Sequence, residues 1–280
     1  MTELMGRIAL GTAGFSIEPQ GRDREADLAA IRFAVDAGIT VLDGARAYAP
    51  AGDPTHNERL LADAVGGRAD VLVGTKGGHF RVSASEWGVE NTPERLRADV
   101  ELSLAALGGD ALELFYIHRA DGSDDLTEAI GELDELRREG KLRRVGLSNV
   151  SPEQLSAALA QTTVDAVQNR HSAIGRESAE VLALCEQHGV PFFAYSPVRR
   201  SVGTTIEHEL PALAADARER GADVYALLLA LLLDSSRVMS VVSGATRPQT
   251  IAASASAAQL HIDDAARAAY ASDLELSTRG

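Results

Sequence analysis

Hydrophobic positions in this chain follow two alternating patterns. Short, mostly apolar runs recur at residues 8–10, 39–42, 71–73, 112–117, 145–147, 166–167, 191–194 and 238–242. A near-continuous run, rather than an alternating one, is what a parallel strand needs when both faces of its sheet are covered. Between the runs lie longer amphipathic stretches. Leu28, Ile31, Ala34 and Val35 form a helical stripe within 24–37, and Gly38 follows as a stop. Thr92 and Pro93 supply a cap and a first-turn proline for a helix striped by Leu96, Val100, Leu104 and Leu107. Ser151-Pro152-Glu153-Gln154 starts another with cap, proline and acidic first turn together. Helices are also predicted over 56–65, 126–139, 177–188, 209–233 and 248–258.

Eight strands alternating with eight helices predict a (β/α)8 barrel, with residues 1–280 read as one domain. A doubly wound open sheet is the alternative, and it calls for a Gly-x-Gly-x-x-Gly turn after the first strand. Leu10-Gly-Thr-Ala-Gly-Phe-Ser16 does not supply one.

In such barrels the chemistry sits at the C-terminal ends of the strands. The polar residues found there are Asp43 with Tyr48 five positions on, Lys76, His118, Ser148-Asn149, Gln168-Asn169 and Tyr195-Ser196. Taken singly, each has an ordinary role open to it. Asp43 serves as a turn cap, Tyr48 as a partly exposed aromatic, Lys76 as a loop charge and His118 as a core histidine. Together, an acid, a phenol, an ammonium and an imidazole at the ends of three successive strands converge on one pocket.

Val41-Leu-Asp-Gly-Ala-Arg-Ala-Tyr48, Val73-Gly-Thr-Lys76 and Leu114-Phe-Tyr-Ile-His118 resemble the catalytic framework of the aldo-keto reductase superfamily. Val145-Gly-Leu-Ser-Asn149, Val167-Gln-Asn169, Tyr195-Ser-Pro197 and Ser243-Gly-Ala-Thr-Arg-Pro248 extend the likeness in order, from about Arg7 to Ser256. The resemblance implies a metal-free barrel enzyme that interconverts carbonyls and alcohols with NADPH, less often NADH. It implies Tyr48 as proton donor, Lys76 as the cation that adjusts its acidity, Asp43 as the anchor of that cation, and a neutral His118 orienting the carbonyl oxygen. By the same resemblance Ser148, Asn149 and Gln168 bind the nicotinamide carboxamide and Tyr195 stacks on its ring. Ser196, with Arg199 and Arg200, is a candidate for the pyrophosphate, although two loop arginines are as readily a solvated charged loop. The segment after the last strand departs from the family pattern. It holds one cation, Arg247, for an adenosine 2′-phosphate, and Ala253 and Ser254 stand where an acidic residue and an amide are expected.

Substrate choice is assigned to loops over the barrel mouth. Residues 77–92 offer His79, Phe80 and Trp87, and residues 49–57 offer Pro50, Asp53, Pro54 and His56. Their polarity suits a sugar-like ketone or a pyridoxal-like aldehyde. A short helix near 263–272 with no long C-terminal loop implies an open mouth.

Composition narrows the partners. A net charge of −14, from 27 Lys plus Arg against 41 Asp plus Glu, disfavours nucleic acid and anionic membrane surfaces. The start of the chain shows no secretory signal, and the longest apolar run, 224–233, is too short to cross a bilayer, which takes about 20 residues. A cytoplasmic protein acting on a small-molecule carbonyl or alcohol is the expectation, with its assembly left open. The one cysteine, Cys185, lies in an apolar stripe and reads as a core residue. Two rivals remain. One is a cofactor-binding regulatory or scaffold protein with little turnover. The other is a metal-dependent hydrolase, against which the seven scattered histidines show no His-x-His or His-Glu-x-x-His spacing.

Overall fold

The computed structural model describes residues 6–17, 22–83, 85–198 and 205–277. Eight strands run parallel: β1 Ile8–Gly11, β2 Val41–Asp43, β3 Leu72–Gly77, β4 Leu114–Ile117, β5 Val145–Ser148, β6 Ala166–Arg170, β7 Phe192–Tyr195 and β8 Met239–Ser243. They close into a barrel in sequence order, with β8 hydrogen-bonded back to β1. The surrounding helices are α1 Arg24–Asp36, α2 His56–Val65, α3 Pro93–Leu107, α4 Thr127–Arg138, α5 Pro152–Gln161, α6 Ala179–His188, α7 Pro211–Arg220, α8 Val224–Asp234, α9 Pro248–Ser256 and α10 Asp264–Ser277.

The helix starts follow local chemistry. Thr92 Oγ1 accepts from the Arg95 amide ahead of α3, and Ser151 with Gln154 forms a reciprocal capping box on α5. Three predicted elements came out differently. The single helix expected over 209–233 is broken at Gly221, whose φ of 63° caps α7, and Asp223 then caps α8 through the Tyr225 and Ala226 amides. Glycine is suited to that left-handed turn because it has no Cβ. Within 77–92, expected as a loop, His79–Arg81 pairs antiparallel with Trp87–Val89 to make a hairpin over the barrel mouth. The last helix, expected near 263–272, is α10 and runs to Ser277.

Strand geometry explains how polar groups reach the barrel axis. Side chains alternate faces with a period of two. Val41, Leu72, Leu114, Tyr116, Ala166 and Phe193 pack together inside the barrel. Two residues on from the last inward apolar side chain stand Asp43 after Val41, His118 after Tyr116, Gln168 after Ala166 and Tyr195 after Phe193. Lys76 follows Leu72 by four. Tyr116 fills the centre because Gly146 faces it: a Cβ there would lie 2.3 Å from the ring. The polar ring is therefore the top layer of a packed core.

Beneath the mouth, between β3 and its covering helices, lies a buried charge network. Arg46 Nε donates to Asp99 Oδ1 on α3 at 2.8 Å, and its Nη1 lies 3.6 Å from Glu58 Oε2 on α2. Glu58 accepts from Thr75 Oγ1 at 2.7 Å, and Asp99 Oδ2 accepts from the Gly78 amide at 2.8 Å. Arg46, Glu58 and Asp99 are 5%, 0% and 1% exposed. Removing Arg46 leaves Glu58 without a cation and Asp99 with only the part-exposed Arg95, 3.1 Å away, which costs far more than loss of a surface pair. Arg46→Met is expected to lower unfolding stability by about 3–5 kcal/mol in a urea titration. A loss below about 1 kcal/mol, the size of an ordinary surface change, would show that the network carries no such burden.

Candidate active site

The strand ends surround a cavity of about 450 Å³ at the C-terminal face of the barrel. Asp43, Tyr48, His79, His118, Ser148, Asn149, Gln168, Tyr195 and Ser196 all line it. Lys76 lies just beneath and is fully buried.

Lys76 Nζ lies 2.9 Å from Asp43 Oδ1, donates to the Gly44 carbonyl at 2.8 Å and stands 3.4 Å from the Tyr48 hydroxyl. Asp43 also accepts from Gln168 Nε2 at 2.7 Å, which ties β2 to β6 across the barrel. Burial opposes the charged ammonium, but Asp43 and then Tyr48 outweigh it, and Lys76 is held above the usual lysine range. Burial raises the Tyr48 phenol, and the Lys76 cation pulls the other way without cancelling the rise. The His118 ring meets Tyr48 edge to face with centroids 5.5 Å apart. Burial, and next the Lys76 charge, push its imidazole well below the usual value, so it is neutral at physiological pH.

The opposite wall is a hydrogen-bonded set. Asn149 Nδ2 donates to the His118 carbonyl at 2.9 Å and to Ser148 Oγ at 3.2 Å, while its Oδ1 accepts from the Tyr195 hydroxyl at 2.6 Å. These bonds leave the Ser148 hydroxyl proton and the second Asn149 Oδ1 lone pair for a ligand. Asn149 and Ser196 have φ of 57° and 53°, the two non-glycine residues with positive φ among those described. Both sit at strand ends on the cavity wall, where local backbone strain tends to collect.

A second cavity of about 420 Å³ adjoins the first, with Pro197, Val198 and Gly244 common to both. Arg247, Thr250, Ala253 and Ser254 line it. Ser254 Oγ is within 2.8 Å of Ser243 Oγ, so its hydroxyl is occupied inside the protein.

Other sequence-selected residues lie elsewhere. Phe80 faces away from the cavity and carries the Arg95 guanidinium 3.9 Å above its ring. Trp87 does not line the cavity; it stacks on His79 with centroids 5.1 Å apart. Asn169 turns outward and bonds both backbone groups of Val150 at 3.0 and 2.8 Å. None of residues 49–57 lines the cavity. Arg199 and Arg200 lie outside the described residues.

Arg119 and Arg170 line the cavity and were not singled out from sequence, although each follows a strand-end residue that was. The Arg46–Glu58–Asp99 network was also missed. Its signal is charge on the wrong face: Glu58 lies three residues from Leu61, and Asp99 sits between Leu96 and Val100, on the buried stripes of their helices.

The chain is similar to several known proteins. An uncharacterized oxidoreductase of Schizosaccharomyces pombe is 28% identical over 243 residues, covering 87% of this chain and 77% of that protein. A glycerol dehydrogenase of Gluconobacter oxydans shares the fold with a TM-score of 0.84 at 22% identity, over 99% of this chain and 93% of that one. An aldo/keto reductase of Klebsiella pneumoniae, solved in complex with NADP and acetate, has a TM-score of 0.79 at 24% identity, over 97% and 91% of the two chains. Residues 7–272 match the model of the aldo/keto reductase family, and the chain belongs to that family.

Proposed function

We propose that this protein reduces an aldehyde or ketone to an alcohol with a nicotinamide cofactor, working as one barrel domain with Tyr48 as the general acid. The observation that carries this reading is the buried Lys76 ammonium held between Asp43 and the Tyr48 hydroxyl, with neutral His118 alongside.

The residues fit a nicotinamide dinucleotide. Two joined cavities suit a long ligand, the first has an aromatic face at Tyr195 and amide and hydroxyl groups at its wall, and the second has Arg247 for an adenosine phosphate. NADPH is the favoured form, with NADH an alternative because only one cation serves the second cavity. When bound, either nucleotide supplies the hydride.

Charge develops on the carbonyl oxygen as the carbon gains hydride, and that oxygen needs a proton. Tyr48 gives its phenolic proton there. Lys76 stabilises the phenolate left behind, and Asp43 keeps the ammonium charged and aimed. His118 carries one ring proton and holds the carbonyl oxygen by donating it. A polar carbonyl, sugar-like or pyridoxal-like, suits the donors around the cavity.

Two outcomes test this reading. Titration with NADPH and with NADH, followed through Trp87 fluorescence, is expected to show saturable binding, and Tyr48→Phe is expected to keep that binding while lowering kcat by about 10²–10⁴-fold on a carbonyl panel. Binding of neither nucleotide, or full turnover by Tyr48→Phe, would overturn it.

The pH profile follows from the shifts. Tyr48, raised above the ordinary phenol value, keeps its proton at neutral and mildly alkaline pH. His118, lowered, stays uncharged down through the range where a free histidine protonates. The kcat for reduction is therefore expected to be level from about pH 6 to 9, without the step near 6.5 that an ordinary histidine gives. A step near 6.5 that His118→Gln abolishes would contradict the neutral assignment.

A further inference from the structure

Two imidazoles border the cavity, and the reaction as described uses one. The His118 and His79 rings meet edge to face with centroids 4.9 Å apart, and both line the cavity. In each ring Nδ1 is buried without a hydrogen-bond partner. A neutral imidazole carries one N–H and one bare nitrogen. Orphaned buried N–H donors are rarer than under-satisfied acceptors, so the enclosed Nδ1 is the bare nitrogen and the proton sits on Nε2. Both rings then carry their proton on Nε2, and both residues line the cavity.

His79 is held in place with unusual firmness for a residue beyond a strand end. The amide of Gly78, just before it, is bonded to buried Asp99. Gly78 has φ of +77°, and a Cβ there would lie 2.2 Å from Asn91 Oδ1, so only glycine makes this turn without displacing Asn91. The His79 ring is stacked on Trp87 with 29° between planes, and the Arg81 guanidinium covers the Trp87 ring at 4.5 Å. Burial, and next the Arg119 charge, push the His79 pKa down to about 4. It therefore meets a ligand as a neutral donor, suited to an uncharged oxygen rather than to a carboxylate.

Tyr48, His118 and His79 thus stand in series, with ring separations of 5.5 and 4.9 Å. The first two serve the reacting carbonyl oxygen. An oxygen on the next carbon is the nearest second acceptor that a small substrate can present to the third. We infer that His79 is a specificity-determining residue that donates to this second oxygen, and that the substrate is a vicinally oxygenated carbonyl, such as an α-hydroxyketone, rather than an isolated carbonyl. The inference rests on the reductase reading of the same site. Of the two polar classes named above it selects the sugar-like one, since a pyridoxal-like aldehyde carries its ring hydroxyl one carbon further away.

The test compares 1-hydroxypropan-2-one with butan-2-one, which differ by a hydroxyl in place of a methyl. kcat/KM is measured on both for the unmodified protein, His79→Phe and His79→Gln, with nucleotide binding as the check that each variant is folded. The difference in intrinsic reactivity between the two ketones is the same for all three proteins, so it cancels when their ratios are compared. The ratio is expected to favour the hydroxyketone, to fall about tenfold in His79→Phe, which keeps a ring on Trp87 but has no donor, and to recover in part in His79→Gln, whose amide donates again. An equal ratio in all three proteins would overturn the assignment. If the unmodified protein reduces other carbonyls of the panel but neither of these ketones, the His79 assignment falls while the reductase reading stands. If it reduces no carbonyl with NADPH or NADH, or if Tyr48→Phe reduces both ketones as fast, the reductase reading itself has failed and the assignment falls with it.

Discussion

The rest of the site depends on a single desolvated charge. An ammonium removed from water at the top of a barrel core loses several kcal/mol of hydration, and its place is tolerated only where geometry restores that loss. Lys76 is fully buried and is served by the Asp43 carboxylate, the Gly44 carbonyl and the Tyr48 hydroxyl. Each partner belongs to the end of β2 or the loop after it, so the charge fixes that loop against β3. Asp43 in turn holds Gln168 on the far side of the barrel. One electrostatic requirement thus sets the relative placement of three strand ends.

The same charge sorts the neighbouring groups by protonation state. Burial disfavours ionisation of the phenol and of the imidazole alike, and the cation acts on them with opposite signs. It favours phenolate, which limits the rise of Tyr48, and disfavours imidazolium, which adds to the fall of His118. Two proton-bearing groups 5.5 Å apart are thereby given different tasks by one fixed charge. The Arg46–Glu58–Asp99 network supports this from below, because Arg46 lies two residues before Tyr48, Thr75 adjoins Lys76, and Gly78 precedes His79.

Much of this was legible in the sequence for a simple physical reason. A parallel strand buried on both faces reads as a run of apolar residues, and its end reads as the first polar residue after the run, so Asp43, His118, Ser148 and Gln168 could be placed without coordinates. Helix starts at Thr92 and Ser151 were equally plain, because capping is a local interaction. What escaped depended on contacts distant in sequence. The hairpin of His79–Arg81 with Trp87–Val89 has no two-residue turn signal and is held by packing on the neighbouring loop, where a Cβ at Gly122 would strike Val89 at 2.4 Å. The bonds that make Asn149 the hub of the cavity wall link Ser148, His118 and Tyr195, up to 46 positions apart. The break at Gly221 is marked in the sequence by that glycine alone, and the apolar run that follows it continues a helical pattern.

Net charge is the point at which a property of the whole chain misleads about the site. At −14 the protein as a whole repels anions, yet the reaction proposed here requires a phosphate-bearing ligand. The two carboxylates that border the joined cavities are each already committed. Asp43 faces Lys76 and Gln168, and Asp223 accepts from two amides at the start of α8. Of the cations bordering the same space, Arg119 is paired with Asp121, and Arg170 and Arg247 remain. Fields from distant surface acids are screened over about 10 Å at ordinary ionic strength, whereas groups in contact with a ligand are not. The local excess of positive charge therefore decides what can bind, and the two neutral imidazoles add donors to the cavity without adding charge. An anionic cofactor and an uncharged, oxygen-rich substrate can then share one pocket, each meeting the groups that suit it.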